Sequence, residues 1–404
     1  MKAAGEKYLP RLDSQSDEEY AAYKARASFL GATSRTLEEY LELVFRRAPV
    51  TNPGAAAKSL HPFLTDCDLW GMDFVRYSKR AVGEVLSLGR AGSLVLWDSA
   101  AARPWLSLWR AEDIMDWQVE RVGDRLTLSR VVLRDGERLR VLRLEGGSCV
   151  HELWQQTDGA WVLAESAPLT RGDASVEFIP FVFHGPRHSR PDPDKLPLSD
   201  LIACNLDHYR LDADYKHGLH FAALPTAWVT GFDKASPLRI GSSAAWVSDI
   251  PGATAGFLEF TGAGLAYIER AMERVERRMA LLGARMLEPS EETSAGQRND
   301  VCGLGTVVAS LNQSLTRVLQ LARWWLDGTD PSASSDLSFT MNTDLASRAI
   351  SGETLTAAVA AWRAGAISRE SLLELLKRGE VLPDGRTVAQ ERALLHRVAG
   401  STGK

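Results

Sequence analysis

Between residues 265 and 286 the apolar side chains Leu265, Ile268, Met272, Val275, Met279, Leu282 and Met286 recur at intervals that alternate between three and four. This is a heptad seam, the pattern of a helix that buries one narrow stripe against neighbouring rods. Glu269, Arg270, Glu273, Arg274, Glu276, Arg277, Arg278 and Arg285 fill the other faces, and Glu273 and Arg277 stand in the favourable i, i+4 order. A helix of about 24 residues is roughly 36 Å long. Such a rod, with no catalytic motif beside it, points to a member of an assembly rather than to an enzyme.

The chain has 404 residues, enough for two or three folded regions, with 45% hydrophobic and 25% charged residues, an ordinary soluble balance. No apolar run is long enough to span a bilayer. The opening Met-Lys-Ala-Ala-Gly-Glu-Lys-Tyr lacks the apolar core of a signal peptide, so synthesis in a cytoplasm without membrane insertion is expected. The formal net charge of -5 excludes a strongly basic nucleic-acid glove but is compatible with DNA as a passing partner. Cys67, Cys149, Cys204 and Cys302 form no Cys-x-x-Cys pair and read as reduced, buried thiols.

The expected fold class is α+β. The first 90 residues read as helices, with capping boxes at Ser16–Glu19 and Thr36–Glu39 and a third helix over about Asp73–Leu88, its Phe74, Ala81, Val85 and Leu88 inward. From about Ser93 to Phe183 seven short strands form a β-meander, with Asp135-Gly136, Gly146-Gly147 and Asp158-Gly159 as turns. Its tryptophans, at 97, 105, 109, 117, 154 and 161, read as rings packed on a small sheet rather than as a ligand platform. Pro186, Pro191, Pro193 and Pro197 make a rigid connector. A helix over about Ser199–Ala222 follows, then a Gly-, Pro- and Ser-rich stretch with short strands at Thr226–Thr230, Ala244–Ser248 and Phe257–Phe260. After the rod come a polar loop, an apolar helix from Leu304 to Trp325, a strand at Leu337–Asn342 and helices near Glu353–Arg363 and Ser368–Lys377.

Phosphate-loop, serine-elbow and zincin motifs are absent, so no catalytic, cofactor or metal residue is assigned. Gly303-Leu304-Gly305 lacks the third glycine of a dinucleotide fingerprint. On the Ser199 helix, His208 and Asp212 lie four apart and Asp214 and His217 three apart. That spacing suits two metal ligands, and equally a solvated polar face. A metal-dependent hydrolase built there is one alternative function.

The segments Tyr8-Leu9-Pro10-Arg11-Leu12, Ser16–Tyr20 and Tyr23–Ala27 resemble the start of one branch of tailed-bacteriophage portal proteins. Ile179–Phe183, Asp200-Leu201, Asn205-Leu206, His208-Tyr209, Asp214-Tyr215 and His217–Phe221 resemble the same branch in order and spacing. So do Leu224-Pro225-Thr226, Val229-Thr230-Gly231, Leu258–Gly262 and Ala280–Leu287. The likeness spans about residues 8 to 325 and weakens inside Ser290–Asp300 and after Ser332.

The resemblance implies a homo-oligomeric ring, usually of twelve subunits, at one vertex of a virion capsid and assembled in the bacterial host cytoplasm. It implies further that double-stranded DNA is packaged and ejected through this ring; another oligomeric virion connector is the second alternative function. The implied partners are the terminase large subunit, the major capsid or scaffold protein and the head-tail adaptor, with no membrane and no cofactor. Carried onto this chain, 1–197 looks like a wing, 198–222 and 264–289 like two stem helices, and 223–263 like a clip. Residues 290–300 look like a tunnel loop, 301–345 like a wing or channel helix and strand, and 346–404 like a helical crown. Glu288, Glu291, Glu292, Gln297 and Arg298 would then approach the DNA. The residues alone give a compatible picture: two long helices around a β insertion form a hairpin of rods, and a mildly acidic channel would let DNA slide.

Overall fold

The computed structural model describes residues 1–223, 226–232, 246–258, 262–285, 303–332, 336–343, 345, 352–378, 381–382 and 388–401. The chain divides into two compact units, Met1–Thr343 and Asp344–Lys404.

The first unit opens with α1 (Asp17–Arg26) and α2 (Ala32–Phe45). Ser16 and Glu19 make the expected capping box: Ser16 Oγ accepts from Glu19 N at 3.2 Å and Glu19 Oε2 accepts from Ser16 N at 2.8 Å. The cap expected at Thr36 does not form. The helix starts a turn earlier, after Gly31, and Thr36 Oγ1 donates back to Ala32 O at 3.0 Å, the way a threonine inside a helix satisfies its hydroxyl. After β1 (Val50–Asn52) comes α3 (Ala57–Thr65), a helix that its short apolar pattern did not reveal. Then α4 (Phe74–Leu88) is capped by Asp73, whose Oδ1 accepts from Arg76 N at 2.7 Å, and closed by Gly89 in the left-handed region. Phe74, Ala81 and Val85 are inward as expected, whereas Leu88 is exposed.

The single meander expected over residues 93–183 is two sheets. In the first, β2 (Ala91–Asp98) pairs with β3 (Arg103–Arg110); in the second, β4 (Ile114–Val122), β5 (Arg125–Asp135), β6 (Arg138–Glu145), β7 (Ser148–Thr157) and β8 (Ala160–Pro168) follow one another antiparallel. The strand β4 escapes sequence reading because bulges at Ile114/Asp116 and Gln118/Val119 interrupt its alternation. A small hairpin of β9 (Thr170–Arg171) and β10 (Ala174–Ser175) precedes β11 (Phe181–His184), which joins the first sheet on the other side of β2. The strand expected from Val176 begins only at Phe181, after Pro180, which has no N–H for a ladder. Gly92 of β2 is required by its neighbour: a Cβ there would lie 2.1 Å from Phe181 Cζ.

The remaining elements of this unit are α5 (Ser199–Ala223), β12 (Thr226–Thr230), β13 (Thr254–Leu258), α6 (Leu265–Arg285), α7 (Leu304–Asp327) and β14 (Ser338–Thr340), which pairs with β1. Of the strand expected at Ala244–Ser248, residues 246–248 are not extended into a ladder and 244–245 lie outside the described residues.

The core forms around α7. Its Val308, Leu311, Leu315, Val318, Leu319 and Ala322 are fully buried against α3, α4, β2, β3, β11 and β14. One polar thread crosses this core. Tyr77 Oη meets Ser93 Oγ at 2.5 Å, Ser93 Oγ meets His184 Nε2 at 2.5 Å, and His184 Nδ1 meets Ser314 Oγ at 2.7 Å. Each ring nitrogen thus has a partner, so a neutral imidazole is satisfied in place. The buried Arg90 guanidinium lies 4.0 Å from the Trp117 ring of β4 and 4.8 Å from the Phe183 ring of β11, joining the two sheets by cation–π contact.

The second unit contains α8 (Gly352–Arg363), α9 (Arg369–Arg378) and α10 (Val388–Ser401), the last not foreseen. Leu372 and Leu373 of α9 are buried, and Arg392 pairs with Glu370 at 2.7 Å.

Burial holds His184 far below an ordinary histidine, at about 3. Above about pH 6.5 both folded and unfolded chains carry it neutral. Below that the unfolded chain gains a proton that the folded chain refuses, so stability falls as pH drops from 6.5 toward 3. Comparing urea midpoints at pH 7 and pH 5.5 with a His184→Gln variant should show an extra loss in the parent of up to about 1.4 kcal/mol per pH unit. Equal pH slopes in the two proteins would contradict a buried neutral imidazole.

Candidate functional site

The two longest exposed helices lie side by side as an antiparallel hairpin. His208 of α5 meets Glu276 of α6 at 3.0 Å, and Gly218 faces Leu265, where a Cβ would come within 2.6 Å of Leu265 Cδ2. A side chain at 218 would therefore have to displace the Leu265 methyl. At about 1.5 Å per residue α5 and α6 run roughly 37 and 31 Å. Between them β12 and β13 form a two-stranded ribbon, with Trp228 opposite Gly256 and Ala227 opposite Phe257.

The heptad seam is only partly covered. Met279 is buried, while Leu265, Ile268, Met272, Val275 and Leu282 are half-buried. Tyr267 and Leu281 stand on the outer faces of α6 with 71% and 51% of their surface exposed. Leu219 and Phe221 of α5 and Trp228, Val247, Ile250 and Phe257 in and around the ribbon are exposed as well, with Trp228 and Phe257 on opposite faces of the ribbon. Large apolar side chains left exposed on several faces of the hairpin and ribbon suit partners better than water. Met286, Glu288, Glu291, Glu292, Gln297 and Arg298 lie outside the described residues.

A clamp made by the N-terminal helices holds the hairpin. Leu9, Tyr20, Tyr23 and Ala27 pack with Tyr209 and Ala213 of α5 in one buried cluster. Tyr23 Oη donates to Asp214 Oδ1 at 2.6 Å, Ser28 N donates to Asp212 Oδ2 at 2.6 Å, and Lys216 pairs with Asp212 at 2.9 Å. Burial first, then the bond to Asp214, pushes the Tyr23 phenol upward, so it stays a donor. On α2, Tyr40 Oη donates to Gly283 O of α6 at 2.6 Å.

These contacts occupy the polar helix considered as a metal site. His208 faces Glu276, Asp212 and Asp214 serve α1 and its following loop, and His217 lies edge-on to Tyr23 with ring centroids 5.2 Å apart. Among the described residues no three His, Cys, Asp or Glu side chains are placed to hold a metal. The tryptophans do not converge either: Trp109 is buried, whereas Trp97 and Trp161 are exposed on different sheets. Gly303-Leu304-Gly305 starts α7, with Leu304 buried. Cys67, Cys149 and Cys204 are buried free thiols, and Cys302 lies outside the described residues. Among the described residues no helix is long and apolar enough to cross a membrane.

Sequence reading found the rods and missed what holds them. The bonds from Tyr23 to Asp214 and from Ser28 to Asp212 join residues nearly half a chain apart; the one local signal was the pair Tyr20 and Tyr23 on one face of α1.

A family described as a domain of unknown function, DUF4055, matches residues 197–326, which hold α5, the ribbon, α6 and nearly all of α7. No curated protein matches. Among solved structures, the chain is similar to one in the neck of an empty GTA particle computed with C6 symmetry, at 14% identity and a TM-score of 0.42, covering 93% of this chain and 96% of that one. It is similar at 13% identity and a TM-score of 0.42 to a chain of the virion of a native gene transfer agent particle, covering 93% and 98%. An HK97 family phage portal protein from Corynebacterium diphtheriae aligns at 11% identity and a TM-score of 0.33, over 80% of this chain and 94% of that one.

Removing the clamp's central acceptor gives a direct check. Asp212→Ala strips a buried charged partner from Ser28 N–H and Lys216 and should cost about 2 to 3 kcal/mol. The expected readouts are a lower urea midpoint and faster tryptic cleavage at Lys24 and Arg26 of α1. A midpoint equal to the parent's would show that the clamp does not hold α1 to α5.

Proposed function

We propose that this chain is the subunit of a portal-like ring in a phage or phage-derived particle, a conduit for double-stranded DNA rather than an enzyme. The observation that carries the reading is the α5–α6 hairpin, whose apolar seam stays half-open in a single chain and whose outer face and ribbon expose further large apolar groups. A projecting hairpin gains stability by laying such surface against copies of itself at about 25 cal/mol per Å² of apolar area. Contacts of this head-to-tail kind close into a ring when the rotation between copies divides a full turn. The sequence motifs shared with one branch of portal proteins support the same reading.

In this reading α5 and α6 are the stem, the β12–β13 ribbon and its flanks the clip, and residues 346–404 the crown. Residues 290–300 would be the tunnel loop facing DNA. Twelve copies would surround the channel. The terminase large subunit and later the head-tail adaptor would dock at the clip, and the capsid or scaffold protein around the wing of residues 1–197. The exposed charges of α6, Glu269, Arg270, Glu273, Arg274, Arg277 and Arg278, are of both signs and would set the register of neighbouring rods.

Electron microscopy of the purified protein should give rotationally symmetric rings with a central hole. Leu281→Asp, placed on an exposed position of α6, should leave thermal unfolding within a degree or two of the parent and abolish the rings. A parent protein that stays a single copy across salt and concentration would contradict the ring. Intact rings from Leu281→Asp would remove the outer face of α6 from the contact.

A further inference from the structure

Trp70 is 92% exposed, although an indole gains more than most side chains by leaving water. The loop that carries it is firmly built. Asp68 Oδ1 accepts from Trp70 N at 2.9 Å and from Met72 N at 3.1 Å, and Asp66 Oδ1 accepts from Gly71 N at 2.8 Å. Cys67 N donates to Met72 O at 2.7 Å, and Arg103 pairs with Asp66 at 2.6 Å. Leu69 is held at φ 67°, a conformation costly for a leucine. These bonds and this strain serve to present one aromatic side chain outward on a rigid support.

Elsewhere on the same unit a cleft of about 410 Å³ opens between α2 and the α5–α6 hairpin. Leu30, Ala32, Leu201, Met279 and Ala280 form its apolar walls, and Arg35 and Glu276 are its charged groups. No wall residue belongs to the Trp70 loop or to α3, α4 and β3, which hold that loop. Pockets of this size suit a single large planar group. The polar groups suit an indole in particular. Glu276 Oε1 is engaged by His208 Nε2 at 3.0 Å, and its other oxygen has no hydrogen bond among the described residues, leaving an acceptor for an indole N–H. The Arg35 guanidinium is exposed and suited to lie over the ring face.

Charge runs the same way. Lys79 and Arg80 are exposed on α4 beside the Trp70 loop, whose own Asp66 and Asp73 are paired with Arg103 and Arg76, and Glu39 continues the cleft face of α2 one turn past Arg35 and Thr36. We propose that Trp70 of one copy inserts into this cleft of the next copy, as a knob in a socket, with Glu276 accepting from the indole and Arg35 covering it. The contact rests on the ring reading above and specifies one of its interfaces. Because knob and socket occupy different surfaces of one chain, the contact is head-to-tail and propagates from copy to copy.

Two variants test it, Trp70→Ala, which removes the knob, and Ala280→Trp, which fills the socket from an exposed position on α6. Both should keep the parent's circular dichroism and melting, since neither side chain is buried in the single chain. Each alone should associate on the order of 100-fold more weakly than the parent in sedimentation analysis, the loss typical of an aromatic hot spot. Mixed in equal amounts, the two should form dimers that grow no further, because only one productive knob and one open socket meet. Rings from either variant as readily as from the parent, or a mixture without dimers, would overturn the knob-and-socket contact while leaving the ring intact. A parent that never associates would overturn the ring itself and this contact with it.

Discussion

The packing of α1 on α5 is the interaction on which the placement of the hairpin depends. The cluster of Leu9, Tyr20, Tyr23, Ala27, Tyr209 and Ala213 supplies apolar burial, and the bonds from Tyr23 to Asp214 and from Ser28 to Asp212 fix the register. Burial alone lets one helix slide on another at modest cost, whereas short bonds to a buried carboxylate do not. A second tie, Tyr40 to the carbonyl of Gly283, holds α6 near its far end. The hairpin is thereby fixed at its base on both rods, while its outer face and ribbon remain open.

This division separates two kinds of stability. The core around α7 is complete within one chain: its apolar face is fully buried, and the thread Tyr77–Ser93–His184–Ser314 satisfies the polar groups that cross it. The hairpin is incomplete within one chain, for Tyr267, Leu281, Trp228 and Phe257 all face water. A chain organised this way folds first and then gains further burial by association, which couples the order of the rods to the number of copies around them.

How far the sequence disclosed this follows from the range of the forces involved. The helices α6 and α7 were legible because each carries a helical apolar period over five turns or more, and the turn at Asp158-Gly159 because both residues adopt positive φ as that dipeptide prefers. The strand β4 was not, because its bulges break the two-residue alternation. The cap at Thr36 misled because serine and threonine serve helix interiors as well as helix starts. The role of the acidic residues on α5 was silent in the sequence for a related reason: Asp212 and Asp214 are carboxylates engaged by partners some 190 residues away, and no local pattern reports such a pairing. The outward Trp70 was equally silent, since a lone tryptophan between two aspartates does not reveal which side of a loop it will take.

The central claim is that the α5–α6 hairpin is completed by other copies of the same chain. Hydrogen exchange followed from dilute to concentrated protein tests it most directly. The account predicts that amides of α6 and the β12–β13 ribbon become markedly more protected as assemblies form, while those of α7 and β2, already buried, change little. Assemblies that form with no gain of protection along α6 would contradict it.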